Sequence, residues 1–204
     1  MAIKHKVVLI VFLFSILATT FPHETYAQTP VVTSASTLVF DLSDKGYEDF
    51  LDNVSAELTD QYYANQAQAK ALRQQKLVSK VKEYLQEQGS PLAQYVPILV
   101  TVRNWKKIVA LSNAESSMCR VYPVGKSNCW GVGGSNLLDM GDNLGQGIVT
   151  MNHFLNVYPK NASLKYSQMS FEQMNGLYKQ PPAQHWIDNN QTVYDDLTKI
   201  ERSL

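Results

Sequence analysis

The residue whose type and placement most favour chemistry is Glu115, in the stretch ALSNAESSMCR. Ile108, Leu111 and Ser112 precede it by seven, four and three residues, so all share its face of a helix. That face is apolar and should point at a core. A carboxyl group against apolar walls has its charged form disfavoured, which raises its pKa. A carboxyl so placed is a usable general acid near neutral pH, the kind of group that protonates a glycosidic oxygen. A second carboxylate decides what such an acid can do. The candidates are Asp139 and Asp142, in NLLDMGDN. Either can hold a water for hydrolysis, and either is equally an ordinary turn residue, since Asp before Gly is common turn chemistry. Cys119 lies four residues beyond Glu115, and Cys129 is the only other cysteine. His153 and His185 have no acidic or nucleophilic partner at a recognisable spacing and read as surface or packing residues.

The elements that must position these groups are mostly helical. Asp44–Gln88 is long and polar, with apolar stripes at Phe50, Leu51, Val54 and Leu58 and at Leu77, Val78, Val81, Tyr84 and Leu85. It reads as two helices or one long bent one, ended by Gly89-Ser90-Pro91. A short apolar helix is expected over Pro91–Val102, and the Glu115 helix over Trp105–Met118. Cys119–Asp142 has five Gly, one Pro and two Asn and is expected to be a loop-rich lobe or short hairpin. Helix resumes over Gly147–Tyr158. Ser170-x-x-Gln173 forms a capping box for a short helix toward Tyr178, Pro181-Pro182 breaks it, and a last helix runs from Ala183 to Ile200. Trp105 and Trp186 sit at helical spacing with aliphatics and read as core.

The N-terminus carries a different signal. Lys4, His5 and Lys6 precede an apolar run of 12 residues, Val7–Ala18, and Thr25-Tyr26-Ala27 offers small residues for a cleavage site. This is the layout of a secretory signal peptide over 1–27; the alternative is an uncleaved anchor. The apolar run is short for a span, and no second run is long enough. A linker is expected over 28–43, a helical extension over 44–88 and the main domain over 89–204. The chain holds 18 basic and 18 acidic residues; losing Lys4, Lys6 and Glu24 with the leader leaves −1. No basic field exists to attract nucleic acid. In an oxidising compartment a lone close cysteine pair is most simply a disulfide, here worth about 3 kcal/mol at best on loop entropy. No metal site is expected, because no His accompanies the pair. No cofactor is implied. Asn53, Asn161 and Asn190 fit the glycosylation acceptor pattern.

Taken in order, IVALSNAESSMC, NCWGVGG, GIVTMNHFLNVYP and MNGLYKQPPAQHW resemble the motifs of the lysozyme-like superfamily. The resemblance is to bacterial glucosaminidase-type and soluble lytic transglycosylase-type peptidoglycan cleavers, and it covers about Lys76–Glu201. It implies an α-helical lobe with a small, partly β lobe and a sugar polymer between them, a mostly α bilobal domain. It implies Glu115 as catalytic acid, Tyr178 facing it across the cleft, and Asn128, Trp130 and Gly131 as the cleft-lining turn, with Ser116 beside the acid. Trp130 then stands as a sugar-stacking platform or as a core plug under its loop. Tyr178 sits at a helix end, with a hydroxyl able to position substrate. If neither Asp139 nor Asp142 reaches the cleft, Glu115 acts alone, as in a lytic transglycosylase. The expected protein is an exported cell-wall glycosidase, extracellular, periplasmic or envelope-associated, with a possible partner docking on helix 44–88. The rival expectation is a lysozyme-like module that binds wall glycan or a protein without efficient catalysis.

Overall fold

A computed structural model describes residues 44–204. The expected signal peptide over 1–27 and linker over 28–43 lie outside the described residues. Phe50–Leu204 forms one compact unit. The described residues form six α-helices. They are α1 (Asp44–Glu87), α2 (Val96–Leu99), α3 (Trp105–Ser116), α4 (Leu144–Val157), α5 (Phe171–Met174) and α6 (Gln184–Arg202). Tight 3-10 turns at Pro91–Tyr95 and Val124–Lys126 complete the set. The mostly α class expected from periodicity holds. The β component does not: among the described residues the only pairing is an isolated bridge between Asn175 and Lys179. The Gly-rich segment after Cys119 is built from turns, because its glycines and asparagines serve turn backbone rather than strand ladders.

The helix ends follow local chemistry. Gly89 ends α1 with φ 64°. Asn143 Oδ1 accepts the Gln146 N–H at 3.1 Å and caps α4. At α5 both bonds of the Ser170/Gln173 capping box are present. The α2 region is shorter than expected, because its first turn is 3-10 with Pro91 at the start.

The core lies between α3, α4 and α6, floored by the end of α1. Leu77, Val81 and Leu85 of α1 are buried with Leu92, Leu99, Ile108, Leu111, Ile148, Met151, Leu155 and Leu197. The packed body therefore begins at Leu77, inside the helix, rather than at the Gly89 stop. α6 runs antiparallel along α3. One end of that pair is tied by Lys106 Nζ to Glu201 Oε2 at 2.7 Å, the other by Trp186 Nε1 to Glu115 Oε1 at 2.7 Å. Lys107, one residue after Lys106, is buried and donates to the carbonyls of Tyr166, Ser167 and Met169 at 2.8, 3.2 and 2.7 Å. It pins the loop before α5 to α3. Among the described residues no helix is long and apolar enough to cross a membrane.

Candidate active site

Ile108, Leu111 and Ser112 are completely buried, so the face of α3 that leads to Glu115 is in the core as expected. Glu115 itself, in the last turn, is half-buried. Its two oxygens have different surroundings. Oε1 receives the Trp186 indole N–H. An indole N–H can only donate, so that oxygen must accept, and a proton carried by Glu115 belongs on Oε2. Oε2 faces Gly131, where a Cβ would come within 3.1 Å of it. Gly131 has φ 68°, a left-handed backbone that also favours glycine, and it is exposed. Oε2 thus points at an open stretch of backbone.

Tyr178 is half-buried in the loop between α5 and α6, and its hydroxyl donates to the Trp130 carbonyl at 2.6 Å. Burial first, then the neighbouring charge of Glu115 and the Tyr166 hydroxyl, push its pKa well above the usual tyrosine value. It therefore stays a donor. Its ring meets Tyr166 edge-on at 5.4 Å and Trp186 at 6.1 Å. One aromatic wall thus carries both Tyr178 and the indole that holds Glu115.

The turn opposite is held from below. Asn128 is buried; its amide donates to the carbonyls of Val132 and Leu138 at 2.8 and 2.9 Å, and its Oδ1 accepts the N–H groups of Trp130 and Val132. Trp130 is fully buried, with its indole N–H on the Ile108 carbonyl at 2.9 Å. It plugs the core beneath the turn and cannot stack on a sugar. Gly147 of α4 lets it seat there: a Cβ would fall 2.5 Å from the Ser127 carbonyl and 3.1 Å from the Trp130 ring. Ser116 is buried between the Ser112 and Cys129 carbonyls, 3.0 and 2.6 Å away, and accepts the Cys119 N–H. Ser116, Asn128 and Trp130 build the site rather than touch a ligand. Of the four residues expected to bind substrate, only Gly131 presents itself to solvent.

Cys119 and Cys129 form a disulfide, with Cα atoms 5.0 Å apart. It joins the end of α3 to the Asn128–Gly131 turn. The chain between Ser116 and Arg120 needs such a tie. Ser117, Met118 and Cys119 all have positive φ, at 52°, 58° and 63°, although none is glycine. Each such residue costs about 1–2 kcal/mol. The disulfide, the Ser116 hydroxyl and a 2.8 Å bond from Ser90 Oγ to the Met118 carbonyl hold them there.

Among the described residues no hydrogen bond joins Asp139 or Asp142 to Glu115. Asp139 Oδ1 accepts the Gly141 N–H at 2.9 Å, an Asx turn, and the Asp142 N–H goes to Gln146 Oε1 at 2.9 Å. Both line an open groove of about 860 Å³ between Ile98 and the exposed face of α4. None of Glu115, Gly131, Tyr178 and Trp186 lines that groove. Asp139 thus has the turn bond that the sequence offers as its alternative to catalysis, and Asp142 sits in the same turn by its backbone. His153 and His185 are exposed, and Asn190 is completely buried and so closed to glycan attachment. Trp186 is the contact that periodicity missed: its ring is in the core and its N–H is bonded to Glu115. Among the described residues no cluster of metal-ligating side chains occurs. Comparison with known proteins finds no matching family model, curated relative or solved structure.

Proposed function

We propose that this chain is an exported peptidoglycan-cleaving enzyme of lysozyme-like, bilobal design that breaks the β-1,4 bond between N-acetyl amino sugars. The supporting observation is Glu115: a carboxyl at the end of a buried helix, one oxygen held by Trp186, the other turned to an exposed glycine. In this reading Glu115 protonates the bridging oxygen as the C1–O bond breaks. With Asp139 held in an Asx turn and no hydrogen bond from either aspartate to Glu115 among the described residues, this reading gives both proton steps to Glu115. The C6 hydroxyl of the same sugar then attacks C1 and returns its proton to Glu115, leaving a 1,6-anhydro end. That is lytic transglycosylation rather than hydrolysis. Tyr178, kept protonated, holds the Trp130 carbonyl and so fixes the backbone on which Gly131 receives the glycan. A disulfide and the lack of a spanning helix among the described residues are compatible with export.

The test is clearing of cell walls embedded in a gel. Wild type should clear them, and Glu115→Gln should not, at an equal or higher melting temperature. One observation favours a second reading, a wall-binding module without efficient catalysis: Trp130, the expected sugar platform, is wholly buried. Retention on peptidoglycan without clearing at any pH would select it.

A further inference from the structure

From Leu51 to Lys76 every residue of α1 except Val54 is exposed, about seven helical turns that take nothing from the core. Most helical stability in proteins comes from packing an apolar face, and this stretch presents one to solvent. Its sequence says which partner fits it. Leu51, Leu58 and Leu72 recur at heptad spacing, with Asn65 in the position between the last two. Ser55, Tyr62 and Ala69 occupy the alternate seam positions. Leu58, Tyr62 and Leu72 are 60%, 59% and 51% exposed. Charge is segregated along the same helix. Phe50–Asp60 holds Asp52, Glu57 and Asp60 and no base, whereas Gln61–Lys82 holds Lys70, Arg73, Lys76, Lys80 and Lys82 and no acid.

We propose that α1 is a homodimer seam, in which a second copy of this chain packs its α1 antiparallel with the two-fold axis midway between Tyr62 and Asn65. Every large seam residue then stands level with a small or polar one. Tyr62 meets the partner's Asn65, Leu58 the partner's Ala69, and Leu72 the partner's Ser55. Asp52 and the partner's Arg73 flank the seam on the same edge, nearly level, and the acidic stretch of each helix lies along the basic stretch of the other. Two-fold symmetry makes each match twice. A parallel pair would lay acid on acid and base on base, which is destabilising. Asn65 near the axis fixes the register, as a polar seam residue does.

Sedimentation equilibrium of the full chain tests this with two triple reversals: Asp52→Lys with Glu57→Lys and Asp60→Lys, and Lys70→Glu with Arg73→Glu and Lys76→Glu. Wild type should dimerise. Each reversal alone should weaken self-association at least about tenfold, and an equimolar mixture of the two should dimerise again. Under oxidation, Leu58→Cys chains should cross-link to Ala69→Cys chains and not to themselves. Circular dichroism checks that every variant stays helical. A monomeric wild type, a dimer indifferent to single reversal, or Leu58→Cys chains linking to one another would overturn the proposal.

Discussion

The two oxygens of Glu115 are made unequal by one donor, and this asymmetry is the chemical content of the site. Trp186→Phe keeps a ring in the core and removes only the N–H that orders the carboxyl. It should lower kcat on wall glycan by about tenfold or more with little change in KM, since a general acid contributes about a hundredfold or more when held in place. A fall in KM-linked binding instead would make Trp186 a structural residue only. At this scale the sequence was partly legible. Glu115 stood out because a charge on an apolar face has few structural excuses. Gly131 could be placed only through the resemblance, and Trp186 read as core because periodicity reports the side of a helix a ring occupies, not where its N–H points. Asp139 shows the reverse ambiguity: an Asp two residues before Gly reads as acid or as turn until its hydrogen bonds are seen.

Among the elements, α3 carries the site and is anchored at both ends by unusual means. Near its start, burial lowers the pKa of Lys107 from 10.5 to about 8. Lys107→Met would leave three carbonyls without a donor and should cost about 2–4 kcal/mol near neutral pH. The sign of the pH dependence follows from the lowered value. Between about 8 and 10.5 the unfolded chain keeps a proton that the folded chain has released. The stability of wild type relative to Lys107→Met should therefore be flat below pH 8 and rise above it, by at most about 1.4 kcal/mol per unit. Urea titrations across that range check it, and a falling difference would contradict it. At the other end, Ser117 holds a left-handed backbone with an exposed side chain. Ser117→Gly should stabilise the protein by about 1 kcal/mol, read as a higher denaturation midpoint. Helix positions were legible within a few residues, since 3.6-residue stripes and caps mark them. The left-handed run Ser117–Cys119 was not, because no glycine announces it and its support comes from residues remote in sequence.

At the scale of the molecule, a helical body is joined to its Gly-rich turn by one covalent link and a buried indole. Replacing both Cys119 and Cys129 by Ser should lower stability by about 3 kcal/mol or less and reduce activity more than affinity for wall polymer. Thermal melts and pelleting with walls separate the two effects. The helical class was readable from pattern. The β lobe was expected from family likeness and has no counterpart among the described residues, where turns and side-chain amides such as Asn128 do the work of a ladder. In the proposed reaction Glu115 breaks a glycosidic bond without a partner carboxylate. Mass spectrometry of the fragments released from purified peptidoglycan tests it most directly. Wild type should release fragments ending in 1,6-anhydro sugars, and Glu115→Gln should release none. Reducing ends from wild type would contradict the solitary-acid mechanism, and undiminished release by Glu115→Gln would contradict the assignment of the acid.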